Sequence, residues 1–221
     1  MKLFFNASIK FSLGIVLVGA LIFLPAMTLD FFGGWLFMAL LFVPMLLLGT
    51  VMFIRSPELL KRRLDGKEKE GTQKGVVAFS GLIFLGGFLV SSFDFRYRWS
   101  DVPMWLTIVA SVLFLIGYGA YAEVMRENAY LSRTIKVSEN QTVITTGLYS
   151  IVRHPMYLAT LFMFLPIPLI LGSFWGLVPF GFYLPIIAAR ILSEEKLLTA
   201  ELPGYEEYKN KTKYRLIPFI W

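Results

Sequence analysis

The sequence predicts an all-α fold, a polytopic bundle of about six transmembrane helices. Of its 221 residues, 57% are hydrophobic and 16% charged, with a mean hydropathy of +0.66, whereas soluble domains carry about 25% charged residues. A helix crosses a bilayer with about 20 apolar residues, and six stretches approach that length. These stretches are residues 9–29, 33–54, 75–93, 103–125, 155–171 and 174–191.

The fifth and sixth stretches are short and share a join that contains Pro166, Pro168 and Gly172. Such a join favours a helical hairpin that barely crosses the membrane or partly re-enters it. The first stretch has Lys2 before it and Lys10 at its start, as in a signal peptide, but its apolar run is long for one and lacks a convincing cleavage site. We therefore expect it to be a retained span.

Basic residues are concentrated on one side of this predicted bundle. They fall within residues 2–10, 55–74, 126–153 and 190–215, whereas the opposite side receives Arg96 and Arg98. Because basic loops stay in the cytoplasm, we expect a multi-pass protein with both termini cytoplasmic. The net charge of +6 indicates no nucleic-acid partner, since the basic residues lie between apolar segments and not on a soluble domain.

The composition also excludes several kinds of chemistry. The chain has no cysteine and one histidine, His154, so we expect no metal centre, disulfide or thiol nucleophile. The remaining polar residues that could support chemistry are concentrated in residues 117–221. We divide the chain into residues 1–74, with two spans and a basic loop, and residues 75–221, a functional core with a cytoplasmic tail.

A polar stretch, residues 126–154, is too long for a minimal turn and ends at His154-Pro155. Proline favours the first helical position, so we expect a helix to begin at Pro155. Its free backbone N–H groups, with the side chains of Arg153 and His154, would form a site for an anion. The alternative is an arginine–histidine pair that extends towards lipid headgroups.

Arg190, Glu194 and Glu195 lie near the cytoplasmic end of the last span. The step of four residues puts Arg190 and Glu194 on one helix face. They could form part of a binding site, or they could simply be a solvated ion pair at the helix end. If the last two spans form a hairpin, this end lies beside the helix start at Pro155. The two ends together predict a site for a zwitterion.

Gly117-x-Gly119-x-x-Ala122 superficially matches a dinucleotide-binding fingerprint. It lies inside a predicted span with no preceding strand, so a Rossmann fold is excluded. Small residues at this depth favour close helix packing, and contact of Gly117 and Gly119 with a ligand is the alternative.

Several motifs follow one another in a recognisable order. They are Thr145-Thr-Gly-Leu-Tyr-Ser-Ile-Val-Arg-His-Pro-Met-Tyr157, Arg190-x-x-x-Glu194-Glu195, Leu202-Pro-Gly-Tyr-Glu-Glu-Tyr208 and Arg215-Leu-Ile-Pro218. With this order, residues 117–221 resemble the isoprenylcysteine carboxyl methyltransferase family. The resemblance departs at Gln141, where the family often has histidine, and at Met156, where it has a small residue.

The resemblance implies an integral membrane methyltransferase with a cofactor pocket for S-adenosyl-L-methionine on the cytoplasmic side. The implied cofactor contacts are Gln141, Thr142, Val143, Ile144, Tyr149, His154, Pro155, Met156, Tyr157 and Glu194. Glu195, Gly117 and Gly119 resemble cofactor motifs of phospholipid N-methyltransferases. Arg190 matches the family arginine that binds the substrate carboxylate, and we take Arg190 and Glu194 as candidate catalytic residues.

The expected acceptor is a lipidic or amphiphilic substrate that enters from the membrane. The expected partners are this substrate and the membrane lipids. A carboxylate acceptor is favoured because it is anionic at neutral pH, whereas an ammonium must first lose a proton. A phospholipid amine and a small thiol are alternatives. A sterol-type reductase that uses NADPH is a further alternative, but it would need more cations than Arg153 and Arg190 to bind that cofactor. A transporter would need mid-membrane charges or internal repeats, and the sequence shows neither.

Overall fold

The computed structural model describes residues 2–64, 71–131 and 141–221, without the side chains of residues 2, 62, 71–74, 76 and 77. These residues form helices and no strand, which confirms the predicted all-α fold. The α-helices are α1 (Lys2–Ala26), α2 (Phe32–Arg55), α3 (Pro57–Leu64), α4 (Gly71–Tyr97), α5 (Met104–Glu127), α6 (Pro155–Phe164), α7 (Ile167–Ile170), α8 (Leu177–Gly181), α9 (Tyr183–Glu201) and α10 (Tyr205–Lys211), and a 3-10 helix covers Gly147–Ser150.

Five helical segments of the described chain are long and apolar enough to cross a membrane. They are Leu3–Ala26, Phe32–Arg55, Ala78–Tyr97, Met104–Glu127 and Leu177–Glu201. The fifth predicted span is instead the shorter apolar segment Pro155–Ile170, divided into α6 and α7 near Pro166. Proline lacks the N–H that continues a helix, which explains the break. The about six predicted spans thus correspond to five long segments and, in place of the fifth, a short and broken one. The protein is a multi-pass membrane protein.

The short segment packs closely on α5. A Cβ added at Gly117 would come 2.9 Å from the Ala159 carbonyl oxygen and from the Met163 nitrogen, whereas a Cβ at Gly119 would meet nothing within 4 Å. Close approach of two helix backbones is a common use of glycine in membrane helices. Gly117 therefore serves helix packing, which is the interpretation that the sequence favoured.

One end of the bundle carries a buried polar cluster and a belt of tryptophans. Asp94 is fully buried and accepts hydrogen bonds from the Ser100 N–H and hydroxyl over 2.7 and 2.6 Å and from the Ser173 hydroxyl over 2.5 Å. The cluster fastens the loop between α7 and α8 to α4. Tryptophans are enriched at membrane interfaces, and four are exposed at this end: Trp35, Trp99, Trp105 and Trp175.

The opposite end, at which α2, α5 and α9 end and α6 begins, is called the basic end below. There α3 buries Leu59 and Leu60 against Met52 and Met125, and Lys10 Nζ donates a hydrogen bond to the Leu64 carbonyl over 2.6 Å. The cytoplasmic orientation of this end stays a prediction. Four basic residues that support it lie outside the described residues: Lys67, Lys69, Arg133 and Lys136.

The division of the chain after residue 74 also stays a prediction. The boundary falls near the start of α4, which packs against α1. A core cluster runs across the boundary, since Ile22 and Phe37 belong to it together with Phe88 and Phe114.

Candidate active site

A cavity opens at the basic end, between the end of α5, the start of α6 and the end of α9. It encloses about 850 Å3 of space, part of which is open to the outside. Most of the predicted site residues line it: Gln141, Thr142, Val143, Ile144, Tyr149, His154, Pro155, Met156, Tyr157, Arg190 and Glu194. Gly117, Gly119 and Glu195 are not among its lining residues.

The 3-10 helix brings Tyr149 to the wall of this cavity. It begins at Gly147, whose φ is +53°, and a Cβ there would run into the Glu127 carboxylate. That carboxylate accepts a hydrogen bond from the Leu148 N–H over 3.2 Å, and glycine adopts the left-handed backbone at Gly147 without strain. The Tyr149 hydroxyl in turn accepts a hydrogen bond from Asn128 Nδ2 over 2.9 Å. Burial raises the pKa of Tyr149, and its phenol is neutral at physiological pH.

The predicted cofactor and substrate residues meet at the hydroxyl of Tyr157, which is buried on α6. The hydroxyl donates to Glu194 Oε2 over 2.6 Å and accepts from Arg190 Nε over 3.1 Å. The sequence suggested that Arg190 and Glu194 bridge each other directly, and the structure links them through this phenol. A cation and an anion are thereby held on one wall, next to the start of α6.

That helix begins at Pro155 with His154 as its N-cap, as predicted. The backbone N–H groups of Arg153 and His154 do not face a ligand. They donate to the carbonyls of Tyr214 and Arg215, each over 2.9 Å. The C-terminal tail therefore lies directly on the chain that leads into α6.

Glu195 is the centre of a buried ion cluster. Its Oε1 accepts a hydrogen bond from Arg153 Nε over 2.6 Å and lies 3.3 Å from His154 Nε2, and its Oε2 accepts from Arg215 Nε over 2.8 Å. The geometry supports a positioning role for Glu195, since it orients the His154 ring.

Arg153 belongs to the same cluster. Its Nη1 donates to the Thr212 and Lys213 carbonyls over 2.7 and 2.8 Å. Three of its five guanidinium N–H groups therefore hold Glu195 and the tail. Arg153 also lines the cavity, and its role as a donor to a bound anion stays a prediction.

One comparison with known proteins bears on this cavity. Residues 105–204 match the model of the phospholipid methyltransferase family. No curated protein matches the chain. The matched residues run from α5 through α9 and include most of the cavity wall, so this part of the chain is similar to a family of membrane methyltransferases. The match is coarser than the resemblance to isoprenylcysteine carboxyl methyltransferases, which stays a prediction.

Several lining residues were missed by the sequence analysis. Asn128, Leu198, Leu202 and two tyrosines of α10 line the cavity, and α10 begins just beyond the part similar to phospholipid methyltransferases. Gly204, with a φ of +83°, precedes α10, and Tyr208 donates to the Tyr149 carbonyl over 2.7 Å. The Leu-Pro-Gly-Tyr motif was noticed, and its glycine signals a turn, but nothing in its spacing shows that the tail folds back onto the 3-10 helix.

Proposed function

We propose that the protein is an S-adenosyl-L-methionine-dependent methyltransferase that methylates a carboxylate of a lipidic or amphiphilic acceptor, with its active site towards the cytoplasm. The observation that carries this proposal is the position of the cavity. Most of its wall belongs to the part of the chain that is similar to phospholipid methyltransferases. In this wall Arg190 and Glu194 are both hydrogen-bonded to the Tyr157 hydroxyl, beside the start of a helix.

The charges of the wall fit the amino-acid end of this cofactor, which bears a carboxylate and an ammonium group. Glu194 would bind the ammonium, and the first turn of α6 with His154 would bind the carboxylate, since helix N-termini favour anions. Tyr149 and Tyr157 would face the sulfonium, because a cation is attracted to an aromatic ring. When bound, the cofactor supplies an electrophilic methyl group.

The remaining chemistry falls to the side chains that position the acceptor. Arg190 would orient the acceptor carboxylate, and its bond to Tyr157 Oη fixes the guanidinium at the wall. A carboxylate needs no proton removed at neutral pH, so alignment of acceptor and methyl carbon and exclusion of water carry most of the rate. The described residues hold no group of three or more potential metal ligands, and the proposal requires none.

A phospholipid amine is the second candidate acceptor, and it is favoured by the family matched over residues 105–204. Its ammonium must lose a proton before it attacks, so activity on an amine should rise with pH, whereas activity on a carboxylate should not. Methylation of an S-prenylated cysteine, but not of phosphatidylethanolamine, by the detergent-purified protein would support the first candidate. The opposite preference would replace it with the second.

The proposed cofactor is tested by calorimetric titration of the detergent-purified protein. We expect S-adenosylhomocysteine to bind and NADPH to bind far more weakly. A phosphorylated dinucleotide needs several cations, and Arg153 is already paired with Glu195 and bound to tail carbonyls. Tight binding of NADPH without binding of S-adenosylhomocysteine would overturn the methyltransferase proposal in favour of a reductase.

Substitutions at Glu194 and His154 test the proposed cofactor contacts. Glu194→Gln and His154→Ala are each expected to weaken S-adenosylhomocysteine binding about tenfold or more, since a hydrogen bond to a charged group contributes about 1.5–3 kcal/mol. Titration calorimetry measures the affinity, and thermal unfolding checks that the fold is retained. Glu207→Gln is the matched control, an exposed carboxylate of α10 that should bind as the wild type does. Unchanged affinity in both site variants would contradict the assignment.

A further inference from the structure

The hydroxyl of Tyr205 has a property that no other lining residue shares. Tyr205 lines the cavity and is only 3% exposed. Its Oη is one of two buried side-chain polar atoms in the described chain that have no hydrogen-bond partner, and the other, in Ser91, is remote from the cavity. A buried polar group without a partner is destabilising, so native proteins retain few of them.

Packing holds the phenol in this position. The left-handed backbone at Gly204 begins α10 and places Tyr205 in a cluster with Tyr208, Leu202 and Val124. Tyr208 lines the same cavity one turn later in α10, and its hydroxyl is satisfied by the Tyr149 carbonyl. A phenol on this helix can therefore reach a partner, whereas the Tyr205 hydroxyl, on a residue of the cavity lining, has none among the described residues.

We propose that the Tyr205 hydroxyl binds the amino-acid end of the cofactor, donating a hydrogen bond to its carboxylate and accepting one from its ammonium group. This inference rests on the proposed function. A hydroxyl has one hydrogen to donate and lone pairs to accept with, and the protein satisfies neither capacity at Tyr205. A zwitterion satisfies both.

The surrounding charges agree with this assignment. Burial raises the pKa of Tyr205, and the carboxylates of Glu195 and Glu194 raise it further, so the phenol stays neutral and can donate as well as accept. Glu194 Oε2 already accepts the Tyr157 hydroxyl, whereas an ammonium group has three N–H donors to satisfy. Tyr205 lines the same cavity and would supply a further acceptor.

The test compares Tyr205→Phe with the wild type for two ligands, S-adenosylhomocysteine and 5′-methylthioadenosine, which lacks the amino-acid end. We expect the variant to bind S-adenosylhomocysteine about tenfold more weakly, the loss of about 1.4 kcal/mol of hydrogen bonding. Its affinity for 5′-methylthioadenosine, measured by titration or by displacement, should be unchanged. Its apparent melting temperature without ligand should be equal to the wild type or higher, because the hydroxyl that is removed has no partner.

Two control variants separate binding from structure. Tyr208→Phe removes the bond to the Tyr149 carbonyl and should lower the melting temperature by roughly 2–4 °C. Tyr214 lies on the tail and is not among the residues that line the cavity. The Tyr214→Phe variant should therefore bind both ligands as the wild type does. Equal losses for both ligands in Tyr205→Phe, or a lower melting temperature with unchanged affinity, would overturn the inference.

The same titrations distinguish the two possible failures. If the wild type does not bind S-adenosylhomocysteine, the proposed function fails, and this inference fails with it. If the wild type binds and Tyr205→Phe binds equally well, only the role of Tyr205 is wrong.

Discussion

Replacing Glu195 with glutamine is expected to lower the free energy of unfolding by about 3 kcal/mol, the usual result when one partner of a buried ion pair is removed. Glu195 and Arg153 are both buried, and the neutral amide would leave the Arg153 guanidinium without its counter-charge. It would also weaken the hold on Arg215, one of the contacts through which the cluster reaches the C-terminal tail.

Thermal unfolding in detergent should show this loss as a fall in the apparent melting temperature of roughly 6–12 °C. Limited trypsin digestion should cut the tail near Lys211 and Lys213 sooner than in the wild type. Glu206→Gln is the matched control, because Glu206 forms an exposed pair with Lys209 over 3.0 Å, and such pairs contribute about 0–1 kcal/mol.

A double variant tests whether the unpaired charge of Arg153 causes the loss of stability. Glu195→Gln combined with Arg153→Gln removes the unpaired buried cation and should recover part of the lost stability. Equal melting temperatures for Glu195→Gln and Glu206→Gln would contradict the proposed anchoring of the tail.

The parts of the fold that depend on local sequence could be predicted. Apolar length and alternation with basic loops gave the long spans, since the bilayer sets one dominant requirement on each helix. The helix start at Pro155 was predicted for a similarly local reason, because proline at the first turn loses no hydrogen bond. For the region around Pro166 the sequence predicted only a hairpin of two short stretches. The division of the first of these stretches into α6 and α7 depends on packing against α5.

The roles of Glu194 and Glu195 could not be separated from the sequence. Neighbouring residues on a helix point about 100° apart, so one of the two had to face away from the cavity, and the motif does not say which. The structure turns Glu194 to the cavity and Glu195 to the tail. That choice depends on the return of residues 212–216 to the start of α6, a long-range contact with no local signal. The link through Tyr157 was missed for the same reason.

Replacing Arg190 with alanine is expected to lower kcat/KM for a carboxylate acceptor about 100-fold, because a lost contact between a guanidinium and a carboxylate costs nearly 3 kcal/mol. Arg190 lies in the wall of the cavity, and its Nε is bound to Tyr157 Oη. The affinity for S-adenosylhomocysteine should change by less than about threefold, since Tyr157 still donates to Glu194 in the variant. Initial rates with an S-prenylated cysteine, together with titration calorimetry, measure the two quantities separately.

Arg190→Lys distinguishes charge from geometry. Lysine keeps the positive charge but lacks the planar set of donors that matches a carboxylate, so its activity should lie between that of the alanine variant and that of the wild type. Arg126→Ala is the control, since Arg126 is an exposed cation near the end of α5 that pairs with Glu123. Loss of S-adenosylhomocysteine affinity in Arg190→Ala would instead make Arg190 part of the cofactor site. If the rate loss also occurred with an amine acceptor, Arg190 would position the wall through Tyr157 and would not recognise the acceptor carboxylate.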